Sequence, residues 1–180
     1  MVALAMGKLS HSPVMDRRAL WLGVLCAVLP DIDVIGFGHG IQYGDLLGHR
    51  GLTHSLAFAA LLSVLLVGLC YRGESGAVRA GMGLYFFLSA TSHGVFDAMT
   101  DGGLGVAFFS PFDTTRYFFS VRPIAVSPIG IHEFFSDQGL HVLASEAKWI
   151  WLPAAMVFVG LRTLKQVWRR WPVAPRSPAD

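Results

Sequence analysis

Apolar residues in this chain come in long uncharged runs, not in strand-like alternation. Residues 51–71 contain no Asp, Glu, Lys or Arg, and their length matches the about 20 residues an α-helix needs to cross the hydrocarbon core of a bilayer. Residues 80–96 form a second uncharged run, extended backwards by Ala77 and Val78. Residues 149–161 form a third, which reaches Trp168 if basic side chains stretch towards the interface. Pro153 falls in its first turns, where proline is tolerated. Residues 19–29 give a shorter run, too short for a relaxed span, so this helix is expected to be tilted, half-submerged or buried by its neighbours. The pattern predicts an all-α integral membrane bundle of about four helices.

The connections differ in kind. Arg72-Gly73-Glu74-Ser75-Gly76 reads as the tight polar turn of a helical hairpin. Residues 102–147 carry Gly102-Gly103, Pro111, Pro123, Pro128 and Gly130 and no lasting helical period. They predict a long extramembrane loop between helices three and four. Its aromatic groups, Phe108-Phe109 and Tyr117-Phe118-Phe119, suit a membrane interface. Residues 172–180 are Pro-rich and expected to be disordered. No internal repeat is visible, so residues 1–171 read as one membrane-embedded domain.

Composition supports lipid as the solvent. Only 14% of residues are charged and 53% are hydrophobic, against about 25% charged in soluble domains. Mean hydropathy is +0.53. A net charge of +2 gives no case for nucleic-acid binding. Position matters more than sum. Lys165, Arg169, Arg170 and Arg176 follow the last apolar run, Arg72 and Arg79 flank the hairpin turn, and Arg17 and Arg18 precede the first run. By the positive-inside rule these ends are expected to be cytoplasmic, as are both termini of this multi-pass membrane protein. Cys26 and Cys70 lie in apolar runs without partners at metal-site spacing and read as packing residues. No small-residue cleavage site follows the first run, so that segment is expected to stay in the mature protein.

This topology places polar groups from distant segments at one membrane level. Ionisable residues there are costly and usually mark function. His93 and Asp97, at i and i+4, share one helix face and can hold a cation between imidazole and carboxylate. Asp101 continues that stripe. Asp31 and Asp33 follow Pro30, which helps end the first helix. At i and i+2 on a regular element they point apart, one as a ligand and one as its orienting partner, unless a turn lets both reach the metal. In His49-Arg50-Gly51-Leu52-Thr53-His54-Ser55, Gly51 suits a tight turn, Thr53 suits a helix cap, and Arg50 could grip a phosphate bidentately. The two histidines share a face only if His49 precedes the helix. His11 joins the cluster only if the N-terminal segment folds back into the bundle. His39, His132 and His141 read as solvated loop residues.

Ser10-His11, Pro30-Asp31-Ile32-Asp33, His49-Arg50-Gly51-Leu52-Thr53-His54-Ser55 and His93-x-x-x-Asp97-x-x-Thr100, in this order, resemble the YdjM-like family of inner-membrane proteins described as metal-dependent hydrolases. That family is more remotely similar to the all-α zinc-dependent phospholipase C and P1 nuclease group. The resemblance implies His11, Asp31, Asp33, His49, His54, His93 and Asp97 as ligands for two or more divalent ions, zinc by analogy. It also favours the folded-back N-terminus. The resulting expectation is hydrolysis of a phosphoester or lipid-like substrate at the bilayer interface. Asp33 or Asp101 would act as base and Arg50 would steady the phosphate. The alternatives are a non-catalytic metal-binding or transport protein and a structural membrane protein. Transport needs a polar path between faces, and the inner halves of helices two and three, residues 61–69 and 80–88, offer almost no ionisable group. Substrate and oligomeric state are not encoded in any motif.

Overall fold

The computed structural model describes Leu4 and residues 15–129 and 135–170. His11, His132 and the 172–180 tail lie outside them. The described chain is helical. Its strand-like features are two isolated bridges, Thr100 with Ile124 and Val106 with Tyr117.

Helix α1 (Arg17–Val28) starts at Asp16, whose carboxylate accepts from Ala19 N at 2.8 Å. It does not simply stop before the Pro30 motif. The chain continues as a 3-10 stretch, Leu29–His39, with Pro30 in its first turn, where the missing N–H costs nothing. Together they make an apolar segment, Arg17–His39, long enough to cross a membrane. The short first run in the sequence underestimates this segment, because the pattern marks charge and not the helix that carries it.

Helix α2 (Leu56–Cys70) is shorter than the apolar run 51–71 that predicted it. Ser55, not Thr53, supplies the cap, accepting from Phe58 N at 3.0 Å. Residues before it are diverted into a separate 3-10 turn, Leu52–His54. Helix α3 (Gly76–Asp97) is capped by Ser75 and runs back along α2, so residues 72–75 do close a hairpin. Helix α4 (Asp137–Glu146) begins well before the third apolar run, capped by Ser136 and with Asp137 favourably placed in the first turn. It continues through a π-helical turn, Ala147–Trp151, into α5 (Leu152–Arg170). The π turn directly precedes Pro153, whose ring cannot accept an ordinary α-helical ladder. Asp137–Leu164 is the second stretch long and apolar enough to span a bilayer.

The core sits where α3 packs between α1 and α2. Small residues make the approach close: Ala19, Gly23 and Cys26 on α1, Ala59 and Ser63 on α2, Ser89, Ala90 and Gly94 on α3. A Cβ on Gly23 would overlap the Tyr85 phenol. Phe86 is fully buried, and Met82 and Tyr85 fill the remaining space. Small interfacial residues are the usual solution where lipid removes the hydrophobic drive between helices. The outward faces agree: Trp21, Leu25, Val28, Ile32 and Ile35 on the first segment and Leu61, Val64, Leu65 and Leu69 on α2 are all exposed. Apolar surface of that extent calls for lipid or a partner.

After α3, the segment of residues 98–129 packs against the bundle end. Val106, Ala107 and Ile124 are buried in it. Its backbone is tied down by Leu56 N to Phe108 O at 2.9 Å, Ala107 N to Arg50 O at 3.0 Å and Asp101 N to Ile124 O at 2.9 Å. It caps the end of the bundle where the polar motifs gather, while Phe109, Phe112 and Phe119 face outward.

Candidate metal centre

Three separate sequence motifs converge at His54. The 3-10 stretch after α1 presents Asp31 and Asp33. With three residues per turn, i and i+2 are about 120° apart, not opposed, so both carboxylates flank the same imidazole. The turn before α2 brings His49, Arg50 and His54. The last turn of α3 brings His93 and Asp97. Gly51 makes the turn feasible: a Cβ there would lie 2.5 Å from Leu46 O and 2.7 Å from Gly48 O.

Two groups are compact enough to hold an ion: Asp31, His54, His93 and Asp97, and Asp33, His49 and His54. In the first, His54 Nε2 lies 3.6 Å from Asp31 Oδ1 and 3.1 Å from Asp97 Oδ2, and His93 Nε2 lies 3.1 Å from Asp31 Oδ1 and 3.5 Å from Asp97 Oδ2. These are four of the six separations, and all six are within 4.8 Å; a regular tetrahedron with edges of about 3.3 Å has its centre about 2.0 Å from each corner, the usual Zn–N and Zn–O distance. The side chain of His54 is fully buried. Although His54 Nε2 and Asp97 Oδ2 are close, both are buried without a hydrogen bond of proper geometry, a state that costs energy unless something satisfies both. His93 Nδ1 donates to Ala27 O at 2.8 Å. With Nδ1 spent on that carbonyl, Nε2, which donates to Asp31 Oδ1 at 3.1 Å in the metal-free protein, is the nitrogen left to bind an ion.

The second group is shorter-edged. His49 Nδ1 is 2.7 Å from Asp33 Oδ1, and His54 Nδ1 is 3.1 Å from Asp33 Oδ2. Asp33 Oδ2 also accepts from Thr53 Oγ1 at 2.6 Å and Arg50 N at 3.2 Å. These are hydrogen-bond lengths, and they go to two different oxygens of one carboxylate. Asp33 spends its carboxylate on orienting its neighbours.

Burial alone drives His54, which precedes α2, towards the neutral imidazole. The adjacent carboxylates of Asp31, Asp33 and Asp97 outweigh that effect, and the group is pushed up to about 10. Without metal His54 therefore carries a proton, which a divalent ion would displace.

Arg50 adopts φ 61°, a left-handed conformation uncommon for a residue with a Cβ. This swings the guanidinium inward, where only 3% of the residue is exposed. Nη1 donates to Thr100 Oγ1 and Gly102 O, both at 3.0 Å, and to Asp97 O at 3.4 Å, while Nη2 pairs with Asp97 Oδ1 at 3.3 Å. Arg50 thus holds Asp97 and the chain beyond α3. Asp101 is exposed and accepts from Val126 N at 2.9 Å, away from the cluster.

A cavity of about 590 Å³ opens beside the first group. Asp31, His49, Arg50, His93 and Asp97 line it together with Phe96, Ile124, Glu146, Ile150 and Trp151. Sequence reading missed Glu146, whose only signal is its position at the threshold of the last apolar run. It also missed Arg116, which gave no signal. Arg116 straps the site turn to the capping segment, donating to Tyr43 O at 2.8 Å and His49 O at 2.9 Å with its guanidinium over the Tyr43 ring.

Comparison with known proteins bears on the membrane setting of this chain. No solved structure matches the chain. The inner membrane protein YbcI of Escherichia coli (strain K12) is 36% identical over 170 residues, which cover 94% of each chain. The profile described as YdjM inner membrane protein matches residues 1–171. On this match, which spans nearly the whole chain, the protein belongs to the YdjM family of inner membrane proteins.

Proposed function

We propose that this chain is a multi-pass, membrane-embedded metal-dependent hydrolase acting on a phosphoester or lipid-like substrate at the bilayer interface, with both termini cytoplasmic. One divalent ion, zinc by donor set and spacing, is held by Asp31, His54, His93 and Asp97. The observation that carries the reading is the convergence of one ligand atom each from Asp31, His54, His93 and Asp97, all within 4.8 Å of one another, beside a substrate-sized cavity. When bound, the ion supplies positive charge that polarises a scissile group and acidifies water. Arg50 holds Asp97 in place, and Ala27 O orients His93. Ile124, Ile150 and Trp151 give the cavity an apolar side suited to a lipid-like molecule.

The test is turnover of bis(p-nitrophenyl) phosphate and of a fluorogenic phospholipid by zinc-loaded protein in mild detergent, with His93→Ala as control. Hydrolysis that disappears in the variant supports the reading. Equal background from both proteins rejects it. One observation favours a second reading, a non-catalytic metal-binding protein: four protein ligands close a tetrahedral site, and catalytic zinc usually keeps one position open. Stoichiometric metal without turnover of any phosphoester would select it.

A further inference from the structure

His49 differs from the other clustered histidines. It is among the residues lining the cavity beside the proposed ligands, yet its Nδ1 is spent on Asp33 Oδ1 at 2.7 Å. Its other nitrogen, Nε2, makes no hydrogen bond among the described residues. The ring is clamped edge-on by Tyr43 and His54, with centroids at 5.2 and 5.5 Å. Arg116 fixes the backbone at the same residue through His49 O at 2.9 Å. Asp33 is held in turn by Thr53 and the Arg50 amide, and its side chain is only 2% exposed. A buried carboxylate, an imidazole whose tautomer it fixes, and a free Nε2 on a substrate-sized cavity form the arrangement that proton transfer requires.

We infer that His49, oriented by Asp33, is the proton-transferring residue of the site and not a metal ligand. The inference rests on the hydrolase reading and deepens it. His49 Nε2 takes a proton from water as the water oxygen bonds to phosphorus. The bond from phosphorus to the leaving oxygen breaks, and the imidazolium returns its proton to that oxygen as the alcohol departs. Asp33 is a positioning residue: it keeps the proton on Nδ1 and so keeps Nε2 free to accept.

The test uses the full chain in detergent, labelled with ¹⁵N-histidine and loaded with ¹¹³Cd. Metal coupling is expected on the His54 and His93 imidazoles and not on His49, whose signals should report the Nδ1–H tautomer. Asp33→Asn should shift that tautomer towards Nε2–H. In the zinc-loaded protein, His49→Gln should keep its metal and lose about 100-fold or more in kcat on bis(p-nitrophenyl) phosphate. Asp33→Asn should lower kcat with KM little changed. Cadmium coupling to His49, loss of metal in His49→Gln, or turnover by that variant within a few-fold of wild type would each overturn the inference while leaving the hydrolase reading standing. A wild-type chain that binds metal but hydrolyses no phosphoester would instead overturn the hydrolase reading, and the proton-transfer role with it.

Discussion

Arg50 offers the most quantitative check, because two substitutions at one position separate two effects. Arg50→Ala removes a buried guanidinium that satisfies Thr100, Gly102 and Asp97. It leaves the Asp97 carboxylate without its guanidinium partner and the Gly102 carbonyl with only the longer bond from Thr100 Oγ1 at 3.2 Å. Breaking a buried ion pair from one side costs about 3–5 kcal/mol. The Asp97 side chain is 17% exposed, so the lower end applies, about 3 kcal/mol. Alanine also keeps the strain of a positive φ. Arg50→Gly loses the same bonds but adopts φ 61° freely, so it should be less destabilising than Arg50→Ala by about 1 kcal/mol. The assay is reversible urea unfolding in mild detergent with chelator present, which removes the contribution of metal binding. Arg50→Ala within about 0.5 kcal/mol of wild type, the range of an ordinary surface change, would refute the structural role. Weakened phosphate binding at unchanged stability would return Arg50 to the phosphate-gripping role its sequence context suggests. Equal stabilities for the two variants would refute the strain argument.

Packing and protonation can be tested in the same way. Gly23→Ala pushes a methyl into the Tyr85 ring and should cost about 1–3 kcal/mol by overpacking. Combining it with Tyr85→Ala should give a strongly non-additive pair in the same unfolding assay, and simple additivity would contradict the close α1–α3 approach. The pKa of His54 lies above its ordinary 6.5, so its contribution to the stability of metal-free protein is complete below 6.5 and lost as pH rises through about 10. Metal-free wild type should therefore lose stability across that window relative to His54→Gln, and parallel pH profiles would count against it. One displaced proton predicts metal affinity rising about tenfold per pH unit in the same window, measured by competition with a chromogenic chelator.

The helical bundle was legible because uncharged runs of near-spanning length are what a bilayer demands of a helix and are rare without one. His93 and Asp97 were legible because both lie on one regular helix, where spacing fixes a shared face. Asp31 and Asp33 were harder. Their relation depends on a 3-10 stretch of 11 residues, far longer than such stretches usually run, and apolar periodicity carries no mark of it. Thr53 and Ser55 were equally good caps by composition. Only the turn through Leu52–His54 decides that Ser55 caps α2 and Thr53 serves Asp33. The early start at Asp137 was hidden because residues 137–148 mix charge with apolar positions. Arg50 looked like an anion grip because sequence does not reveal a positive φ. Arg116 and Glu146 act through contacts across long separations, which leave no local pattern.

Metal content tests the account most directly: elemental analysis of protein purified in mild detergent without added metal or chelator. The account predicts one equivalent of zinc or a similar divalent ion, lost in His54→Ala and His93→Ala and retained in His49→Gln. Absence of stoichiometric metal, even after reconstitution with zinc, would contradict it and leave the His–Asp cluster as a hydrogen-bonded helix junction.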